Sequence, residues 1–382
     1  MLTDKELADL ALPIISIFNV LELELIEEIT ERFDRYDKMG GSLEWQSRML
    51  EEMGVLNQAL IRAIARETKR TESELTKMLQ AAAMANFSEE EIRKAYEIGV
   101  IGVTYESIQN STVLKRIVQE TKIETGKTIK FIETKALESA KQSYMDVINK
   151  SYIEVTSGVR SYSDSVNRAL KEMAKKGITG ATYQREYADG RVAIVHYSLE
   201  GTIRRDMVTA ANTLATKVML TESKEAGYNH VEVSQHLGAR IGSGLEDHTN
   251  HAWWQGKVYR IEGSDDEYPN LAETTGYGLV DGLSGANCRH RVYMFLPGVS
   301  KPHEPVSAEK NEEVEKANKK LRAMERDIRA LRKQYAVVKK IGTQEEKKEA
   351  REAILEQSER IDRFCSTHNL KRQFAREIVN EL

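Results

Sequence analysis

Five histidine and cysteine side chains between Val231 and Pro297 are of types that ligate zinc. His248 and His251 are spaced H-x-x-H, Cys288 and His290 are spaced C-x-H, and His236 lies upstream of both pairs. Zinc favours four such nitrogen and sulfur ligands in a tetrahedron, and closed four-ligand sites hold a fold together. A small module with short strands and many loops would gain stability from a structural zinc. The spacing matches no standard zinc finger, however. Imidazoles also sit in cores as donors to backbone carbonyls, and Cys288 can pack as a small hydrophobe. That plainer use is the commoner one, and both readings stay open on the residues alone. No cofactor is expected apart from such a zinc.

Other candidate chemistry is weaker. Gly282-Leu283-Ser284-Gly285-Ala286 approaches the G-x-S-x-G elbow of hydrolases, but Ala286 replaces the last glycine. A strand should also precede the serine and a helix follow it. Gly242-Ser243-Gly244 and Thr275-Gly276-Tyr277-Gly278 complete no phosphate-binding pattern, and tight turns explain their glycines. Asp265, Asp266, Glu267 and Glu273 cluster as a solvated acidic loop more readily than as a catalytic pair. Basic residues gather at Arg204-Arg205, at Arg289 and Arg291, and along one C-terminal helix (Lys316, Lys319, Lys320, Arg322, Arg326, Arg329, Arg332, Lys333). Acids are interspersed there, which predicts paired charges, although a local stripe suffices to attract packaged DNA. Adjacent strand residues face opposite sides. On that basis Trp253 is expected inside and Trp254 outside or at an interface. Trp253, Gly256, Tyr277, Cys288 and Arg289 are expected to form the module's structural core.

The run from Val231 to Pro297 holds two of the three Trp, four of the eight His and one of the two Cys. The sequence on either side is polar and helical in pattern, so the elements that position these residues are mostly helices. Thr3-x-x-Glu6, Thr71-x-x-Glu74 and Ser88-x-x-Glu91 each match a capping box, in a region where apolar residues recur at helical spacing. Gly40-Gly41 is expected to break the first long helix. Ser161 to Lys176 predicts an amphipathic helix closed by Gly177, and Leu199 to Glu222 a second. Short strands are expected at 191–197, 230–234, 256–261 and 291–295. Pro297, Pro302 and Pro305 mark a linker. Beyond it Val314, Ala317, Leu321, Met324, Ile328, Leu331, Tyr335 and Val338 step alternately by three and four, a heptad seam. Gly342 ends that helix and Thr343-x-x-Glu346 caps the next. Its Ala350, Ile354, Ile361 and Phe364 supply a facing stripe, so an antiparallel pair is expected. A seam this long favours pairing with itself or a partner over a solvated tail packed on its own domain. The fold class is therefore α+β and predominantly helical. Its expected parts are a helical N-terminal region (1–155), a small mixed α+β module (156–300), and a linker with a C-terminal helical hairpin (301–382).

Bulk composition sets limits. A chain of 382 residues can bury a sizeable core. Its net charge of −4 argues against electrostatic nucleic-acid binding by the whole molecule. Two distant cysteines make no disulfide framework, consistent with a reducing compartment. No apolar run approaches a membrane span, and no secretory leader is recognisable, so synthesis in the cytoplasm without membrane association is expected.

The stretches VEVSQHLGAR (231–240), HAWWQGKVY (251–259), TGYG (275–278) and GLSGANCRHRVYMFLPG (282–298) together resemble the phage minor capsid protein 2 family. The segment from Gly158 to Gly190, with YSDSVNRALKEMAKKGI and YADGR, fits as well. The likeness covers most of residues 1–300 and is strongest over 158–298. It implies a minor head protein of a tailed phage or prophage, distantly similar to phage Mu F-type head morphogenesis proteins. The implied partners are portal and capsid proteins, in the virion and, during assembly, in the host cytoplasm. It implies binding rather than turnover. Beyond what the resemblance implies, the N-terminal arm is expected to dock on the portal and the hairpin to contact another subunit, scaffold or DNA. Two rivals remain: a metal-dependent hydrolase or toxin-like enzyme built on the His/Cys set, and a DNA-binding head or ejection protein.

Overall fold

A computed structural model describes residues 2–34, 42–186, 192–242 and 244–379. Gly40-Gly41, Ser243 and residues 187–191 of the YADGR stretch lie outside the described residues. The fold is α+β and predominantly helical, as expected. In chain order the helices are α1 (Asp4–Asp9), α2 (Leu12–Asp34), α3 (Ser42–Ala83), α4 (Glu89–Glu97), α5 (Tyr105–Gln109), α6 (Thr112–Thr156), α7 (Tyr162–Lys176), α8 (Leu199–Glu225), α9 (His251–Trp254), α10 (Leu271–Thr275), α11 (Ala308–Ile341) and α12 (Gln344–Thr367). Five strands intervene: β1 (Thr179–Glu186), β2 (Val192–Ser198), β3 (His230–Val233), β4 (Val258–Arg260) and β5 (Val292–Met294). The chain forms two compact units. One comprises Met1–Pro13, Ser73–Lys127 and Arg204–Lys320; the other comprises Ile14–Glu72, Thr128–Ile203 and Leu321–Leu382.

Local signals explain most helix ends. The Thr3 hydroxyl accepts from the Glu6 amide and the Glu6 carboxylate answers at the Thr3 amide, a complete capping box. Thr343 and Glu346 repeat it at α12, and Ser88 and Ser161 cap α4 and α7. Thr71 departs from expectation. It lies fully buried within the unbroken α3, and its hydroxyl donates to the Glu67 carbonyl one turn back. The residues before it supply a continuous helix, so there is no orphan amide for it to cap.

In the second unit α2 is buried nearly all round, from Ile14 and Phe18 to Ile29 and Phe33. A helix of that kind belongs at the centre of a core. Tyr144 of α6 packs on Phe33 and donates its hydroxyl to the Met49 carbonyl at 2.8 Å. Gly177 ends α7 with φ +74°, and a Cβ there would strike the Lys333–Glu22 pair. That pair is buried at 2.9 Å, and Glu22 also accepts the Ile178 amide. β1 pairs antiparallel with β2 as an isolated two-stranded sheet.

Part of the heptad seam is used inside this unit. Leu321, Ile328, Ile361 and Cys365 form a cluster between α11 and α12, bordered by Met324, Ile354 and Phe364. Ion pairs tie the hairpin to the rest of the unit: Arg329 to Glu200 at 2.9 Å, Lys340 to Glu31, and Lys171 to Glu346. The hairpin is thus paired with itself and also packed on its own unit.

The first unit is built on α8, whose Met207, Ala211, Leu214 and Val218 are fully buried. A three-stranded antiparallel sheet has the order β4-β3-β5, with Val231 opposite both Tyr259 and Met294. Four of the expected strands thus appear as β2 to β5; β1 was not anticipated.

Candidate functional site

The chemistry-bearing side chains of the first unit converge on α9 and on the coil from Gly276 to Arg291. That coil has almost no ladder of its own, so side chains must satisfy its carbonyls. Asn212 on α8 donates to the Cys288 carbonyl at 3.2 Å, and Thr213 to that of Ser284 at 2.9 Å. Arg240 reaches the carbonyls of Asp281 (3.2 Å) and Ala286 (2.6 Å). These contacts fix the backbone from which Cys288 and His290 project.

α9 is one turn long. Trp254 staples it by donating its indole N–H to the His248 carbonyl at 2.8 Å, and Tyr259 donates to the Trp254 carbonyl at 2.6 Å. Gly256 then takes φ +68°, where a Cβ would crowd the Gln235 side chain. Because residues 251–254 are helical, the strand alternation expected for the tryptophans does not apply. Trp254 is the core residue, with no exposed surface; Trp253 is half-buried under Lys257, whose ammonium lies 4.9 Å from the ring. A second correction concerns the arginines. Arg289 is exposed, whereas Arg291 is 1% exposed and meets Asp4 at 3.2 Å and the Tyr293 hydroxyl at 2.7 Å. Arg289 lies in the coil ahead of β5, while Arg291 stands next to the strand and is held by Asp4 and by the hydroxyl of the half-buried Tyr293. Burial outweighs the pull of Arg291 and holds the Asp4 carboxyl above its ordinary range. Of the other expected core residues, Cys288 is buried and Tyr277 half-buried.

His251, Cys288 and His290 come together, with one ligand atom from each within 4.8 Å of the others. Hydrogen bonding settles the proton positions. His251 Nε2 lies 2.9 Å from the Asp281 carbonyl, which only accepts, so Nε2 carries the hydrogen and Nδ1 is bare. Gln255 Oε1 accepts the His236 amide at 3.0 Å, which fixes that oxygen as an acceptor. His290 Nε2, 3.1 Å from the same oxygen, is therefore the protonated nitrogen. Its bare Nδ1 faces Cys288 Sγ at 3.6 Å. Trp254 packs against His251 and His290 at 4.5 and 4.7 Å between ring centroids. His236 stacks on His290 at 4.5 Å. Its Nδ1 donates to the Leu237 carbonyl, and its Nε2 is buried with no partner among the described residues. His248 does not join them; its Nε2 turns to the Asp281 carboxylate at 3.2 Å.

Burial dominates the electrostatics. It lowers the His251 pKa to about 4, pushes His290 well below its ordinary value, lowers His236, and raises the Cys288 thiol to about 11. The pair at 3.6 Å is thus neutral thiol beside neutral imidazole. A nucleophilic cysteine needs the opposite setting, electropositive and partly open. The remaining sequence candidates resolve into structural roles. The Ser284 hydroxyl donates to Thr216 at 2.8 Å, and coil rather than helix follows it. Gly276 is the left-handed end of α10. Asp265 pairs with Arg260 and accepts the amides of Glu267 and Tyr268, a solvated turn. The sequence reading missed Asp4, Asn212, Gln255 and Arg291. Only Arg291 carried a usable signal, its position in the expected strand.

A mainly helical chain whose unusual side chains are sealed inside, neutral and wedged by aromatics, has the character of a protein that keeps a shape. The chain belongs to the phage minor capsid protein 2 family, whose model matches residues 2–366. It is also 25% identical over 244 residues to the "Structural protein" of Lactococcus phage LL-H. That match spans 61% of this chain and 61% of the relative, so the two correspond over about three fifths of their lengths. No solved structure matches. The protein is a phage structural protein. Among the described residues no helix is long and apolar enough to cross a membrane.

Proposed function

We propose that this chain is a minor head protein of a tailed phage or prophage that binds the portal and inner capsid during head assembly. It acts by binding, without turnover. The observation that carries this reading is the family match across 2–366. The closed His/Cys cluster supports it, because buried neutral groups offer a substrate no entry. In this reading the 1–155 region docks on the portal or capsid, the 156–300 module is the rigid core, and the 301–382 hairpin meets another subunit. The hairpin's inner seam is already occupied, so such a contact would use its outer face, where Leu355 is 63% exposed. Contact with packaged DNA has less support. Lys316, Lys319, Arg322, Arg329 and Lys333 of the basic stripe each pair with a carboxylate.

The test is composition. Proheads and mature particles from an induced lysogen should both contain the chain, and tagged protein should co-purify with portal. Absence from both kinds of particle would sink the reading. For the DNA variant, filter-binding affinity should fall steeply with added salt. A flat response removes it.

A further inference from the structure

We infer that His251, Cys288 and His290 form a buried structural site for a tetrahedral transition-metal ion of the zinc class. Three observations carry this. The first is donor chemistry: two imidazoles and a thiol suit zinc, and their ligand atoms share one small volume within 4.8 Å. The second is spacing. Bonds of about 2.3 Å to sulfur and about 2.05 Å to nitrogen at a tetrahedral angle set a sulfur–nitrogen edge of roughly 3.6 Å. Cys288 Sγ and His290 Nδ1 are 3.6 Å apart. The third is the surrounding shell. Ligating histidines are held by giving their other N–H to a carbonyl or carboxylate. Here His251 gives Nε2–H to the Asp281 carbonyl and His290 gives its own to Gln255. These bonds leave Nδ1 as the unprotonated nitrogen of each ring, and that of His290 faces Cys288 Sγ. His236 brings a further imidazole to the edge of the cluster, its Nε2 buried and without a partner among the described residues.

The ion would clasp the α9 turn to the Cys288–His290 coil, two segments 37 residues apart that share no strand ladder. Binding releases the Cys288 thiol proton to solvent and exchanges three waters of the hydrated ion for one sulfur and two imidazole nitrogens; the fourth tetrahedral position keeps a water or takes His236 Nε2, and no oxidation state changes. Because the cluster is sealed, the ion enters as the chain folds.

Cobalt(II) is the probe. Full-length chain is stripped with chelator in denaturant and refolded with one equivalent of cobalt. Expected are stoichiometric retention, the visible bands of a tetrahedral centre, and one thiolate-to-cobalt charge-transfer band. Zinc should bleach all of them. Cys288→Ala should lose the charge-transfer band. Cys365→Ala should keep it, and His248→Ala should keep full stoichiometry. A wild-type chain that refolds to native circular dichroism without retaining cobalt overturns the inference. So does a charge-transfer band that survives Cys288→Ala. If refolding fails, metal analysis of chain purified without chelator from zinc-supplied cells decides: one zinc per chain supports the site, and a substoichiometric trace overturns it.

Discussion

The central clusters of the two units bury ionisable groups by different means, although the first unit also holds the Arg291–Asp4 pair. In the unit containing α9, the interior ionisable cluster is kept neutral: burial lowers the pKa values of His236, His251 and His290 and raises that of Cys288. In the unit containing α2, buried charge is kept and paired, as in Lys333 with Glu22. Neutral rings are cheap to bury, and they remain free to meet a further ligand. An ion pair costs desolvation, but it fixes which helix lies against which, because a lone buried charge is heavily penalised. One cluster is thus built around donor atoms, and the other around register.

The sharpest way to break this contrast is Trp254→Ala. Removing a fully buried indole from the ring cluster should cost about 3–5 kcal/mol, whereas Trp253→Ala should cost about 1 kcal/mol. Urea melts of both variants test it, and equal losses would mean that the cluster is not held by Trp254. Lys333→Met probes the other interior. It strands the Glu22 carboxylate and should cost about 3–5 kcal/mol, while Lys333→Met with Glu22→Leu should recover most of that. Failure to recover would show that the pair does more than compensate itself.

Acid should separate the units next. A histidine whose folded pKa lies below its unfolded value leaves the unfolded chain holding more protons, so stability is full above the unfolded pKa of about 6.5 and falls as pH drops below it. For His251 the loss accumulates between pH 6.5 and its folded pKa of about 4, and it is on the order of 3 kcal/mol. Chelator-treated protein melted across this range should show it, with Trp253 and Trp254 fluorescence as the reporter. A flat profile would contradict neutral burial. The smallest effect is expected from Thr343→Ala, which removes the α12 cap and should cost about 1 kcal/mol. A calorimetric scan would resolve it.

What the sequence revealed depended on how local the signal was. The caps at Thr3, Ser88 and Thr343, the Gly177 stop and the facing stripes of α11 and α12 are short-range patterns, and all were readable. Thr71-x-x-Glu74 carries the same letters as a cap, but the continuous helix around it overrides them. The tryptophans were misassigned because a one-turn helix has too few residues to show a period, and strand parity was applied in its place. Arg289 and Arg291 are two residues apart and share a parity at the entry to β5, so alternation does not tell which one is inside. The metal-ligand candidates were legible as types. That His251, Cys288 and His290 meet while His248 turns away follows from the path of the coil after Gly276. That path is set by Asn212, Thr213 and Arg240, residues far away in sequence.

The boundaries between the two units fall at Pro13/Ile14, Glu72/Ser73, Lys127/Thr128, Ile203/Arg204 and Lys320/Leu321. Each of these lies within a helix: α2, α3, α6, α8 and α11 in turn. Deletion mapping of binding partners that cuts at these boundaries would therefore sever a helix each time, and would report misfolding as lost affinity. Newly made protein faces the same arithmetic. Neither unit has all its segments until the ribosome has passed residue 320, so a product truncated before that point would carry unmated helices.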